Sequence, residues 1–106
     1  MEEMKKINNV ILEKMSIMID IMIKILGCEY SDAYGIIIRS KTYSLLQKGN
    51  YSALHDSPQA NLSSIGQELR ESMNTEYQKL GNALTDQNIK KAMLLMIEEN
   101  DNKCLV

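Results

Sequence analysis

The 106-residue sequence has no tryptophan and no phenylalanine, a single proline, a single histidine and two cysteines. Each shortage removes a class of answer. Without large aromatic rings beyond five tyrosines, a core must be filled by isoleucine, leucine and eight methionines, which favours packed helices over a β-sandwich. Two cysteines as distant as Cys28 and Cys104 do not make the disulfide framework of a small secreted domain, and read as two reduced thiols in a cytoplasmic protein. One histidine gives no zinc-ligand spacing with them, and the acidic residues lack the alternating oxygen donors of a calcium loop. No glycine-rich phosphate loop is present, so neither metal nor cofactor is expected. A formal net charge of −2, without a strong basic cluster, disfavours nucleic acid as the main partner. The opening Met-Glu-Glu-Met-Lys-Lys has mixed charge. The apolar stretch behind it is broken by Glu13, Lys14, Asp20 and Lys24, so neither a secretory signal nor a spanning helix is expected. Cys104 stands third from the terminus, where a prenylation box needs it fourth.

What the chain does have is apolar periodicity. A length of 106 residues suits one domain, expected over residues 1–100 with a flexible tail at 101–106. Glu3 to Leu26 reads as a long first helix stopped by Gly27. The polar residues Glu2, Lys6, Asn9, Glu13, Ser16, Asp20 and Lys24 gather on one narrow strip at 100° per residue. Ile, Leu, Val and Met cover about two thirds of its circumference, against the ~100° stripe of a surface helix. Such a helix needs cover on several sides. Met15, Met18 and Met22 fall along one line of this band, either as gap-fillers of a core or as an adaptable partner surface.

A second helix is expected from Asp32 to Lys48, capped by Ser31 and closed by Gly49. Ile36-Ile37-Ile38 followed by Thr42-Tyr43 also suits a strand, but no second strand is available to pair with it. Gly49 to Ser57 reads as a loop with Tyr51 and Leu54 anchored to the core. Ser57-Pro58 then marks a helix start, with serine as cap and proline in the first turn. That third helix is expected to run to Leu80 with a stripe of Leu62, Ile65, Leu69, Met73, Tyr77 and Leu80, ended by Gly81. A fourth, started by Thr85 and Asp86, runs to about Asn100. Its six consecutive apolar residues, Ala92 to Ile97, place Leu94 and Leu95 on opposite flanks of a face made by Ile89, Met93 and Met96. The expected fold is therefore all-α, a small bundle of about four helices around a central, apolar first helix.

Chemistry-bearing clusters are few. His55, Asp56 and Ser57 are adjacent in sequence, whereas the groups of a catalytic triad meet from distant positions; no catalytic residue is assigned. Arg39, Lys41 and Lys48 with Thr42 and Tyr43 form the cluster most like a nucleic-acid contact.

Ser40-Lys41-Thr42-Tyr43-x-x-Leu46, a turn of about ten residues, Ser57-Pro58 and then Glu68-Leu69 resemble the pattern of a group of very small bacterial proteins of unknown function. The likeness covers about residues 25–71. Members of that group often look to be encoded beside an ADP-ribosyltransferase-like toxin, which the resemblance would make the partner. The long first helix and the fourth helix depart from the pattern. The motif also has a scaffold reading, in which Tyr43 buries its ring and the hydroxyls bond locally at helix ends.

Surplus apolar surface and the resemblance together point to a non-enzymatic protein-interaction module that binds and occludes a partner, as an antitoxin or inhibitor does. Met15, Met18, Met22, Leu94 and Leu95 are the expected contact residues. The alternative is a structural homo-oligomer of a phage or mobile element, pairing with itself. A DNA-binding regulator is the third reading.

Overall fold

A computed structural model describes the backbone of residues 2–104 and the side chains of residues 8–100. Seven helices follow one another among these residues, with no strand. They are α1 (Glu2–Leu26), α2 (Tyr30–Ile38), α3 (Lys41–Gln47), α4 (Tyr51–His55), α5 (Pro58–Arg70), α6 (Thr75–Ala83) and α7 (Asp86–Cys104). The all-α expectation holds, and the four-helix arrangement is replaced by a long α1 wrapped by shorter pieces. α7 runs past Asn100; residues 105–106 of the expected tail lie outside the described residues.

The additional breaks have local causes. The expected second helix divides at Arg39–Ser40, because the Ser40 hydroxyl accepts from Tyr43 N at 3.0 Å while donating to Ile37 O at 2.6 Å. One side chain thereby closes α2 and caps α3. Ser31 is not a cap. α2 starts a residue before it, with Glu29 at the cap position and no side-chain bond. Within the expected loop, Asn50 accepts from Ala53 N at 3.0 Å and starts α4. Ala53 is buried and Leu54 packs on the core, but Tyr51 is exposed and lies against the His55 ring, centroids 4.0 Å apart.

The expected third helix also divides. Asn74 accepts from the amides of Glu76 and Tyr77 and caps a new helix, so the chain reverses through Glu71–Asn74 and α6 folds back on α5. Met73, expected in the apolar stripe, is 99% exposed at this turn. Gly81 does not end a helix: it is buried inside α6. A Cβ at Gly81 would stand 2.5 Å from Arg70 N and 2.7 Å from Gly66 O, and one at Gly66 would stand 2.4 Å from Leu84 O. The two glycines let backbone approach backbone. Arg70 Nη1 then donates to Gly81 O at 2.6 Å and to Leu84 O at 3.3 Å, covering carbonyls at the end of α6. Gly27 and Gly49, at φ +65° and +74°, do stop α1 and α3 as expected.

α1 packs against α2, α3, α5, α6 and α7. Ile11, Met18, Ile19, Ile21 and Met22 meet Ala33, Ile37, Leu46, Leu62, Ile65, Leu84, Ile89 and Ala92 in one core. The molecule is 23 Å through its shortest dimension, about two helix diameters. A helix lying in one of two such layers keeps one side in solvent.

Candidate interaction surface

Lys14 sits in the buried arc of α1 and is nearly inaccessible. Its ammonium donates to the Asp56 carbonyl and, at 2.9 Å, to Asn61 Oδ1, while Asn61 Nδ2 donates to Ala53 O at 3.1 Å. These bonds make its burial tolerable. Desolvation pushes the Lys14 pKa below its usual 10.5, opposed by the nearby Asp56 charge. In the sequence Lys14 interrupts the apolar run, and its place on the buried side of the helical wheel is the signal for this role.

The motif residues turn inward. Glu68, on α5, accepts from Lys41 N at 2.7 Å and, through its other oxygen, from Thr42 N at 3.1 Å and the Thr42 hydroxyl at 2.6 Å. It thus caps α3 from 26–27 residues away. Leu46 is fully buried. Tyr43 packs on the core edge and its hydroxyl accepts from Gln47 Nε2 at 2.7 Å. Ser57 caps α5 by accepting from Ala60 N at 3.1 Å, with Pro58 in the first turn. This spacing therefore has a complete account as scaffold. Arg39, Lys41 and Lys48 are exposed around α3.

His55, Asp56 and Ser57 serve separate tasks. The imidazole lies on Tyr51, the Asp56 carbonyl receives Lys14 and the Ser57 hydroxyl caps α5. No hydrogen bond joins the three among the described residues. Nor, among those residues, is there a group of three or more His, Cys, Asp or Glu placed to hold a metal ion. Cys28 is a half-buried free thiol; the Cys104 side chain lies outside the described ones.

Met15, Met18 and Met22 are buried in the core, so they present no partner surface. The band on α1 is broad because five helices cover it. Among the described side chains of α1, the large aliphatic ones outside are Val10 and Ile17 along one edge and Leu12 along the other.

α7 also keeps large aliphatic side chains outside. Thr85 Oγ1 accepts from Asn88 N at 3.2 Å to start it, and Asp86 receives the Ser63 hydroxyl of α5. Ile89 and Ala92 are buried, with Met93 and Met96 packed beside them. At 100° per residue, Leu94 and Leu95 then fall on the two flanks of that buried face, as the sequence pattern indicated. Leu94 is 54% exposed, Leu95 41% and Ile97 52%. On the α5 side, Leu94 and Ile97 border a groove of about 470 Å³ floored by Ile89 and Met93 and walled by Gln59, Ala60 and Ser63. On the α1 side, Leu95 borders a smaller hollow of about 250 Å³ with Lys24, Ile25 and Ala92. A Lys24–Glu99 ion pair closes the far end. Three large aliphatic side chains left outside on one ordered helix, beside an open groove, form a surface suited to a macromolecular partner.

No protein-family model, no curated protein and no solved structure matches the chain. No described helix is long and apolar enough to cross a membrane.

Proposed function

We propose that this chain is a non-enzymatic protein-interaction module that binds and occludes a partner protein, as an antitoxin or inhibitor does, through the outer face of α7 and the groove between α5 and α7. The observation that carries the reading is the exposure of Leu94, Leu95 and Ile97 on a helix whose opposite face is anchored in the core. Water contact by three such side chains is unfavourable, and a partner's apolar side chains would relieve it. The ADP-ribosyltransferase-like toxin implied by the motif resemblance is the first partner to try. Because the motif residues support the scaffold, α7 is the contact surface even if that partner is correct. A reducing, cytoplasmic setting accompanies this reading, with Cys28 as a free thiol.

The test is a photo-crosslinking residue placed at Leu94 or Ile97 in the native host, with Glu71 as an exposed control site. A discrete protein adduct at 94 and 97, absent at 71, supports the docking surface. Absence of any adduct at both α7 positions removes it.

A further inference from the structure

The charges around the exposed leucines of α7 are ordered. Lys90 and Lys91 stand four residues before Leu94 and Leu95, and Glu98 and Glu99 four residues after them. Residues four apart follow one ridge of a helix. Two neighbouring ridges therefore carry the same series, lysine, leucine, glutamate. All six residues are exposed, and the strip between the ridges lies opposite the buried Ile89–Ala92 face. No intramolecular ion pair accounts for the pattern: among the described residues only Glu99 is paired, with Lys24, while Lys90, Lys91 and Glu98 have no ion-pair partner. Among the described residues the series gains only the Lys24–Glu99 ion pair within one chain.

We infer that a second copy of this chain docks on α7, with the two α7 helices antiparallel about a twofold axis passing between Leu94 and Leu95. Such an axis exchanges the two ends of the strip. The lysine pair of one copy then faces the glutamate pair of the other, about 6 Å of helix rise to either side of the axis, and the same contact is made again on the far side. Leucine meets leucine at the centre. A parallel pairing would instead set lysine beside lysine and glutamate beside glutamate. The charge order thus selects both a self-complementary partner and its direction.

This pairing deepens the docking surface proposed above and rests on it. One helix face is small against the roughly 800 Å² per partner of a stable interface, so the dimer forms and separates with concentration and weakens with added salt. Self-pairing and capture of another protein then use the same face, one at a time. Dimer formation sets how much of the chain is available to a different partner.

The experiment is sedimentation equilibrium of the purified chain over a concentration series at low salt, with circular dichroism of each variant. The native chain is expected to pass from monomer to dimer. The double variant Lys90→Glu/Lys91→Glu and the single variant Glu98→Lys, which leaves Glu99 with Lys24, should each shift the midpoint to at least tenfold higher concentration. An equimolar mixture of the two should dimerise again, because the acidic strip of one meets the basic strip of the other. A native chain that stays monomeric throughout, or a dimer indifferent to both charge reversals, overturns the inference. If the chain is monomeric but crosslinking at Leu94 captures a different protein, self-pairing fails and the docking surface stands; if neither occurs, both fail.

Discussion

α1 and α7 carry the same signal in sequence, more aliphatic residues than one stripe accommodates, and are covered to different extents: α1 keeps aliphatic side chains outside only at the edges of a broad buried band, α7 on both flanks of a narrow one. α1 lies under five other helices, and its methionine line is fully absorbed. α7 is held by α1 and α5 on one side, and its surplus remains outside. The difference lies in the neighbours. The pieces on either side of the breaks at Ser40 and Asn74 all lie against α1, whereas α7 is packed mainly by α1 and α5. An apolar excess therefore shows that cover is needed, and local capping residues elsewhere determine whether the chain provides it.

The contrast can be attacked at its strongest point by truncating each helix alike. Met18→Ala should lower stability by about 2–5 kcal/mol, the usual result of opening a cavity in a packed core, while the same truncation at the exposed Leu94 of α7 should cost far less. Chemical denaturation of the variant checks the first half. Unseating the cover is the next approach. Gly81→Ala drives a methyl group into the Arg70 and Gly66 backbone, and α6 must withdraw from α5 at a cost of about 1–3 kcal/mol, read as a lowered melting temperature. Glu68→Ala removes the remote cap of α3 and should cost about 0.5–2 kcal/mol. Helix α3 should then lose amide-exchange protection before the rest of the molecule.

A pH series sharpens the comparison within α1. The Lys14 pKa is lowered in the folded chain, chiefly by desolvation, so burial of its charged form costs stability at neutral pH. That cost disappears as pH rises from the folded pKa toward 10.5, because the unfolded chain then binds more protons than the folded one. The native chain should therefore gain stability relative to Lys14→Met through that alkaline window. Equal pH profiles for the two would remove desolvation of Lys14 from the account. The smallest effect is expected on α7. Leu94→Ala should change stability by about 0.5 kcal/mol or less, and a value near that of Met18→Ala would mean that Leu94 is covered after all.

Much of this was legible in the residues. The limits of α1, the stops at Gly27 and Gly49, the Ser57-Pro58 start and the flanking placement of Leu94 and Leu95 follow from local rules that the structure obeys. The breaks at Ser40 and Asn74 were less visible. A serine or asparagine within an apolar-periodic segment can remain helical or cap a new helix, and the deciding interaction comes from outside the segment: Glu68 on the amides of α3, and the fit of Gly81 against α5. Gly81 is ambiguous in sequence because a glycine near an expected helix end looks the same whether it supplies a left-handed turn or a close approach. The methionines were misplaced because a wheel shows how wide an apolar band is and cannot show how many helices lie on it.

Lys14 also bears on a hazard of so uniform a helix. Isoleucine and methionine fill one another's places readily, so a helix made of them could slide by a turn along its neighbours at little loss of burial. The ammonium has fixed acceptors at Asp56 and Asn61. A slip of one turn, about 5.4 Å, would take it out of hydrogen-bond reach of both. A single charge thus fixes the alignment that the greasy side chains leave undetermined.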